Sequence, residues 1–170
     1  MKTWTKVALL VSAVALSACN DASRFGSDNP YGDGVNNGTD GLGSSADPSS
    51  IAYFQEAVGD RVLFLVDQST LSEDGRLVVL AQANWLLANT DYIAVVEGHA
   101  DEQGTREYNL ALGARRASAV QELLIAQGVA GNRIRTVSFG KERPIEVCSE
   151  ESCYAQNRRA VTVLTANVSG

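Results

Sequence analysis

The sequence predicts a two-layer α/β (α+β) sandwich, a single mixed sheet with helices packed on one face. Three observations predict it. Short apolar or β-branched runs alternate with long segments of helical spacing. The order along the chain reads β-α-β-α-β-β. The connections are short and carry turn residues.

Each element follows in turn. Val62 to Val66 is an unbroken apolar run fit for a buried strand. Thr70 or Ser72 can cap the next helix, and Glu73 and Asp74 suit its first turn. Leu77, Leu80, Ala81, Asn84, Leu87 and Ala88 recur at helical spacing with Trp85 beside them, and Asn89-Thr90-Asp91 ends that helix. Tyr92 to Val96 is a second β-rich run, followed by a loop through Thr105. A second helix spans about Arg106 to Gln127, with Leu110, Ala114, Ala117, Gln121 and Leu124 as its packed stripe and Gly128 as its stop. Arg116 then falls on the flank of that stripe, as do Asn109 and, if the helix begins early enough, Thr105. Ile134 to Phe139 and Ala160 to Leu164 supply the last two strands, joined by a loop that carries Cys148 and Cys153.

The chain before this domain is of a different kind. Lys2 and Lys6 precede the apolar run Val7 to Ala15, and Leu16-Ser17-Ala18 leads into Cys19. A charged start, a short apolar core and small residues before a cleavage point describe a secretory signal peptide over residues 1–18. The run is too short for a membrane span, which needs about 20 apolar residues. The Leu-Ser-Ala-Cys tetrad resembles a bacterial lipobox, which implies lipidation of Cys19. Asn20 stands where Asp would favour retention in the inner membrane, so the outer membrane is expected. Removing residues 1–18 takes two lysines with it and moves the net charge from −6 to −8. Residues 20–52 contain 23 Gly, Pro, Ser, Asn or Asp among 33. Such a stretch buries too little apolar surface to offset its chain entropy, so residues 19–52 read as a lipidated cysteine and flexible tether, and 53–170 as the domain. A coil of this length spans about 30 Å and reaches about 100 Å when extended.

Composition excludes several functions. The acidic balance argues against a nucleic-acid binder held by phosphate contacts. A single histidine, His99, excludes a multi-histidine zinc site. Glu97, His99 and Asp101 alternate along a strand end, but they lack a second histidine and a nearby nucleophile, so neither a metal site nor an enzyme is expected, and no cofactor is implied. A lone histidine of this kind is expected to be a hydrogen-bonded structural residue. Cys148 and Cys153, in a loop of an exported chain, are expected to form a disulfide.

Four motifs carry more specific information: GHADEQGTREYN (Gly98 to Asn109), LGARRA (Leu112 to Ala117), FGKERP (Phe139 to Pro144) and NRRA (Asn157 to Ala160). Together they resemble the OmpA-like C-terminal domain family, and within it the lipid-anchored members that work with the Tol system. The resemblance covers about Val62 to Leu164. It implies non-covalent binding of peptidoglycan through the zwitterionic end of meso-diaminopimelate, an outer membrane held to the wall, and TolB with other Tol proteins as periplasmic partners. The family positions place Asp101 on the ligand ammonium and Arg116 on its carboxylate, an acceptor-only group and a forked donor. Thr105 and Asn109 complete a polar cleft. Asp67 fits a family acidic position, with ligand contact and turn capping both open. Arg158 and Arg159 match the terminal motif and either support the site or pair with neighbouring carboxylates. Leu65 departs from the Asp or Gly frequent there. Truncating Asp101 or Arg116 to alanine is expected to abolish most binding and leave the fold intact. A protein-docking module is the rival function.

Overall fold

The structure is a computed structural model that describes residues 43–166; Cys19, the signal segment and most of the tether lie outside the described residues. A short helix, α1 (Ile51–Tyr53), runs on as a π-helical turn (Phe54–Gly59). Strand β1 (Arg61–Leu63), helix α2 (Glu73–Ala88), strand β2 (Tyr92–His99) and helix α3 (Arg106–Ala126) follow. Strand β3 (Ile134–Gly140), helix α4 (Glu151–Asn157) and strand β4 (Arg159–Ala166) complete the fold. The sheet order is β1-β4-β2-β3. β4 runs antiparallel to both neighbours, and β2 and β3 are parallel with α3 as their crossover. The mixed two-layer architecture is the one that the sequence predicts.

One face of the sheet is covered. Ala94 and Val96 of β2 and Ala160, Thr162 and Leu164 of β4 point into the core, while the residues between them are half-buried or exposed. Val79, Ala83 and Leu86 of α2 meet Ala117, Val120 and Leu124 of α3 over that face, with Phe54 and Trp85 closing one side. Ser72 and Thr105 cap α2 and α3 by accepting hydrogen bonds from Gly75 N and Tyr108 N.

Four local expectations need correction. The packed stripe of α2 is Gly75, Val79, Gln82, Ala83 and Leu86, and Leu77 and Leu87 face solvent. α2 carries apolar residues on several sides, so spacing alone admits more than one stripe. The stripe of α3 is Asn109, Leu112, Gly113, Arg116, Ala117, Val120 and Leu124, and Leu110 and Ala114 are exposed. Two polar residues lie on the buried face, which inverts a reading by hydrophobicity. β1 ends at Leu63, short of Val66, because Arg116 takes the Leu65 carbonyl out of any ladder. The Cys148–Cys153 loop contains α4, a helix too short to show periodicity.

The packed unit also begins before residue 53. Trp85 Nε1 donates to the Pro48 carbonyl at 2.8 Å, Tyr92 Oη donates to the Ser49 carbonyl at 3.0 Å, and the buried Ser50 caps α1. The last residues assigned to the tether are thus bonded to the domain.

Candidate functional site

Two glycines decide where α3 lies. A Cβ on Gly98 would stand 1.8 Å from the Gly113 carbonyl oxygen, and one on Gly113 would stand 2.4 Å from Ser138 Oγ. Only glycine at both positions lets the helix backbone rest directly on β2. Arg116, one turn beyond Gly113, is thereby carried under the C-terminal end of β2.

Arg116 is 0% exposed. Its Nη1 donates to the His99 carbonyl at 2.7 Å, its Nε to Gln68 at 2.8 Å and its Nη2 to Leu65 at 3.2 Å. The guanidinium lies 5.3 Å from the centre of the Phe64 ring. Burial lowers its pKa to about 10, and the charge of Asp101 opposes that shift, so it remains a cation at neutral pH. The expectation of a flank position is therefore wrong. Arg116 is a buried clasp that ties the β1–α2 loop to the end of β2. Truncating it would take the donor from the Gln68 and His99 carbonyls and weaken the hold on Leu65, so an intact fold is not expected for that change.

The loops it joins carry the two acidic candidates. Asp67 adopts a left-handed conformation at φ 57°, and its Oδ1 accepts from Tyr108 Oη at 2.8 Å. That hydrogen bond raises the Tyr108 hydroxyl above its ordinary pKa. Asp101 is 7% exposed. Its Oδ2 accepts from Arg158 Nη1 at 3.1 Å and its Oδ1 from Gln103 N at 3.3 Å. Asp67 and Asp101 meet in one notch of about 180 Å³, lined also by Val66, Gln103, Gly104, Tyr108 and Leu112.

The remaining candidates stand behind this notch. Asn109 is buried, and its Nδ2 donates to the carbonyls of Gln103 at 2.7 Å and Asp101 at 3.3 Å, which fixes the loop from within. Thr105 caps α3. Lys141 Nζ holds the same loop from outside through the carbonyls of Gly104 at 2.8 Å and Glu102 at 3.3 Å. Arg116, Asn109 and Thr105 shape the notch, and Asp67 and Asp101 line it.

Sequence reasoning missed Tyr108, although it stands inside the GHADEQGTREYN motif. It left open the role of Arg158, which pairs with both Asp101 and Glu151. Arg159 is buried and donates to the Asn157 and Arg143 carbonyls. His99 departs from expectation: neither ring nitrogen has a hydrogen-bond partner among the described residues. The ring stacks on Phe139 with centroids 5.5 Å apart, and Nε2 lies 3.6 Å from a Glu97 carboxylate oxygen. Burial first, then the charges of Arg159 and Arg143, lowers its pKa to about 4, so it is neutral at pH 7. A register shift at Gly98 and His99 breaks the strand alternation, and Glu97, His99 and Asp101 do not converge on one donor group. Cys148 and Cys153 are joined by a disulfide.

Comparisons with known proteins define the family. The OmpA family pattern matches residues 63–158. A peptidoglycan-associated lipoprotein of Mesorhizobium japonicum is 47% identical over 156 residues, covering 92% of this chain and 89% of the relative. One of Pseudomonas aeruginosa is 38% identical, covering 86% and 90%. The crystal structure of the peptidoglycan-associated lipoprotein from Burkholderia pseudomallei superposes with a TM-score of 0.65 at 33% identity, over 70% of this chain and 100% of that one. The C-terminal domain of Helicobacter pylori MotB shares the fold, with a TM-score of 0.60 at 22% identity, over 64% of this chain and 86% of that one. The chain belongs to the OmpA family and, within it, to the group of peptidoglycan-associated lipoproteins.

Proposed function

We propose that this protein binds peptidoglycan non-covalently and fastens the outer membrane to the cell wall. The observation that carries the reading is the notch itself, where two carboxylates, Asp67 and Asp101, face one small space with a buried guanidinium behind them. An ammonium group fits such a pair of acceptors, because a carboxylate accepts and never donates at neutral pH. Each oxygen of Asp101 has one partner within the protein, which leaves lone pairs for a ligand. Arg116 spends three of its N–H groups on carbonyls and lies fully buried behind the notch, so in this reading its positive charge favours a carboxylate beside that ammonium without its side chain lining the notch. The side chain of meso-diaminopimelate presents that pairing of charges. The role is one of binding, without catalysis or cofactor.

The anchor follows the relatives, whose names call them lipoproteins and whose similarity extends over most of the chain. Cys19 is the lipidation site in this reading, and the outer membrane is the location. No helix among the described residues is long and apolar enough to cross a membrane.

A second reading has its own observation. Leu63, Leu65 and Val66 are exposed large apolar residues. Leu63 and Leu65 line a groove of about 320 Å³ together with Phe64, Leu71 and Ala155, and Val66 lines the notch beside it. An apolar rim beside a polar notch is the anatomy of a protein interface. TolB, with other Tol proteins, is the partner proposed for it, and its nearness to Asp67 makes wall and partner compete.

Co-sedimentation with purified sacculi tests the main reading. Diaminopimelate-type walls should retain the protein and lysine-type walls should not, because lysine lacks the second carboxylate. Asp101→Asn should weaken retention about tenfold or more, the size of a lost charge-assisted hydrogen bond. Equal retention on both wall types would refute the proposal.

A further inference from the structure

The disulfide and the notch are linked through one ion-pair chain. The Cys148–Cys153 bridge closes residues 148–153 into a ring, and Glu151 lies inside that ring on the first turn of α4. Its Oε1 accepts from Arg158 Nη2, and its Oε2 accepts from Arg158 Nη1 at 3.4 Å. The same Nη1 reaches Asp101 Oδ2 at 3.1 Å, and Arg158 Nε holds the Phe64 carbonyl at 3.2 Å. One buried guanidinium is thus shared between a carboxylate in the notch and a carboxylate on α4.

A cation beside Asp101 opposes the binding of a cationic ligand. The Asp101–Arg158 pair alone is neutral, whereas the trio with Glu151 carries a net negative charge. We infer that Glu151, braced by the Cys148–Cys153 bridge, is a positioning residue that draws Arg158 partly off Asp101 and keeps the notch anionic. This inference rests on the reading of the notch as an ammonium site. It gives the bridge a purpose beyond stability, since a ring that small holds Glu151 where it meets the fork of Arg158. The bridge closes too short a loop to stabilise the chain as much as a long-range crosslink would.

The test uses the full chain in detergent, diaminopimelate-type sacculi, and free meso-diaminopimelate as competitor. Glu151→Gln should weaken retention about fivefold at low salt, in keeping with a partly exposed pair acting on a buried one. The deficit should shrink near 1 M salt, where the Debye length falls to about 3 Å. Glu151→Asp, which keeps the charge, should recover most of the loss. Replacing both bridge cysteines, C148S with C153S, should shift retention in the same direction as Glu151→Gln. Glu151 is mostly exposed, so its glutamine variant folds and remains informative even if the cysteine variant unfolds. Wild-type retention with an unchanged Glu151→Gln variant would overturn this inference alone. A deficit that persists at high salt would also overturn it, because a packing role does not respond to screening. Absence of wild-type retention would overturn both this inference and the proposed function.

Discussion

Replacing Arg116 by methionine removes a cation but preserves much of the volume in the core. The guanidinium is fully buried and bonded to the carbonyls of Leu65, Gln68 and His99; Leu65 keeps a hydrogen bond from Gln68 N, so the change takes the donor from two acceptors, Gln68 and His99. An unsatisfied buried polar group costs about 1–3 kcal/mol. Two effects offset part of that sum: the desolvation of the cation is no longer incurred, and the loop carbonyls of Leu65 and Gln68 can turn toward water. A net loss of about 3 kcal/mol is expected. At about 4 °C per kcal/mol for a domain of this size, Tm should fall by about 12 °C. Thermal unfolding followed by circular dichroism reads this directly. The same variant, assayed well below its Tm, should also bind sacculi poorly, because the loops that carry Asp67 and Asp101 have lost their clasp. A Tm within about 2 °C of wild type would refute the reasoning, since it would mean that the clasp contributes nothing net.

Other predictions follow from single contacts. Gly113→Ala places a Cβ 2.4 Å from Ser138 Oγ and 2.7 Å from the Gly98 carbonyl oxygen, so urea unfolding should show a loss of about 2 kcal/mol or more. His99 has a folded pKa near 4 against an ordinary 6.5, so the unfolded chain takes up its proton first as pH falls. Stability from this group is full above about pH 6.5 and is lost down to pH 4, by up to about 3 kcal/mol, and His99→Leu should flatten that part of the profile relative to wild type. Tyr108→Phe should leave stability within about 0.5 kcal/mol and weaken sacculus binding a few-fold, because Asp67 loses the hydroxyl that orients it. A chain starting at residue 53 should be less stable than one starting at residue 43 by about 2 kcal/mol, since Trp85 Nε1 loses the Pro48 carbonyl, Tyr92 Oη loses the Ser49 carbonyl and α1 goes with its Ser50 cap.

The sheet was legible because its strands are dense in β-branched residues and its helices are long. The register of the helices was less so. Arg116 and Asn109 are polar residues at the centre of a buried face, and no hydrophobic periodicity can place them there. What buries them is the close approach of Gly98 and Gly113, a tertiary fact that only the pair of glycines hints at. Asp101 was found by motif and Asp67 by a family position outside the motifs, and the structure sets them in one notch. The motif also contains Tyr108, but nothing in its spacing distinguishes a hydroxyl on Asp67 from a solvated side chain. Arg158 reaches Asp101 across 57 positions of sequence, beyond any local pattern. Residues 44–52 read as tether because Ser, Asp and Pro make up most of them. Their backbone carbonyls are nonetheless used by Trp85 and Tyr92, and composition does not report on carbonyls.

The most direct measurement is an NMR titration of the protein with meso-diaminopimelate, following backbone amides. The account predicts saturable shifts at Gln103, Gly104 and Tyr108, with Asp67 moving alongside them, and their loss in Asp101→Asn. Shifts confined to the groove at Leu63 and Leu71, or no shifts at all, would contradict it.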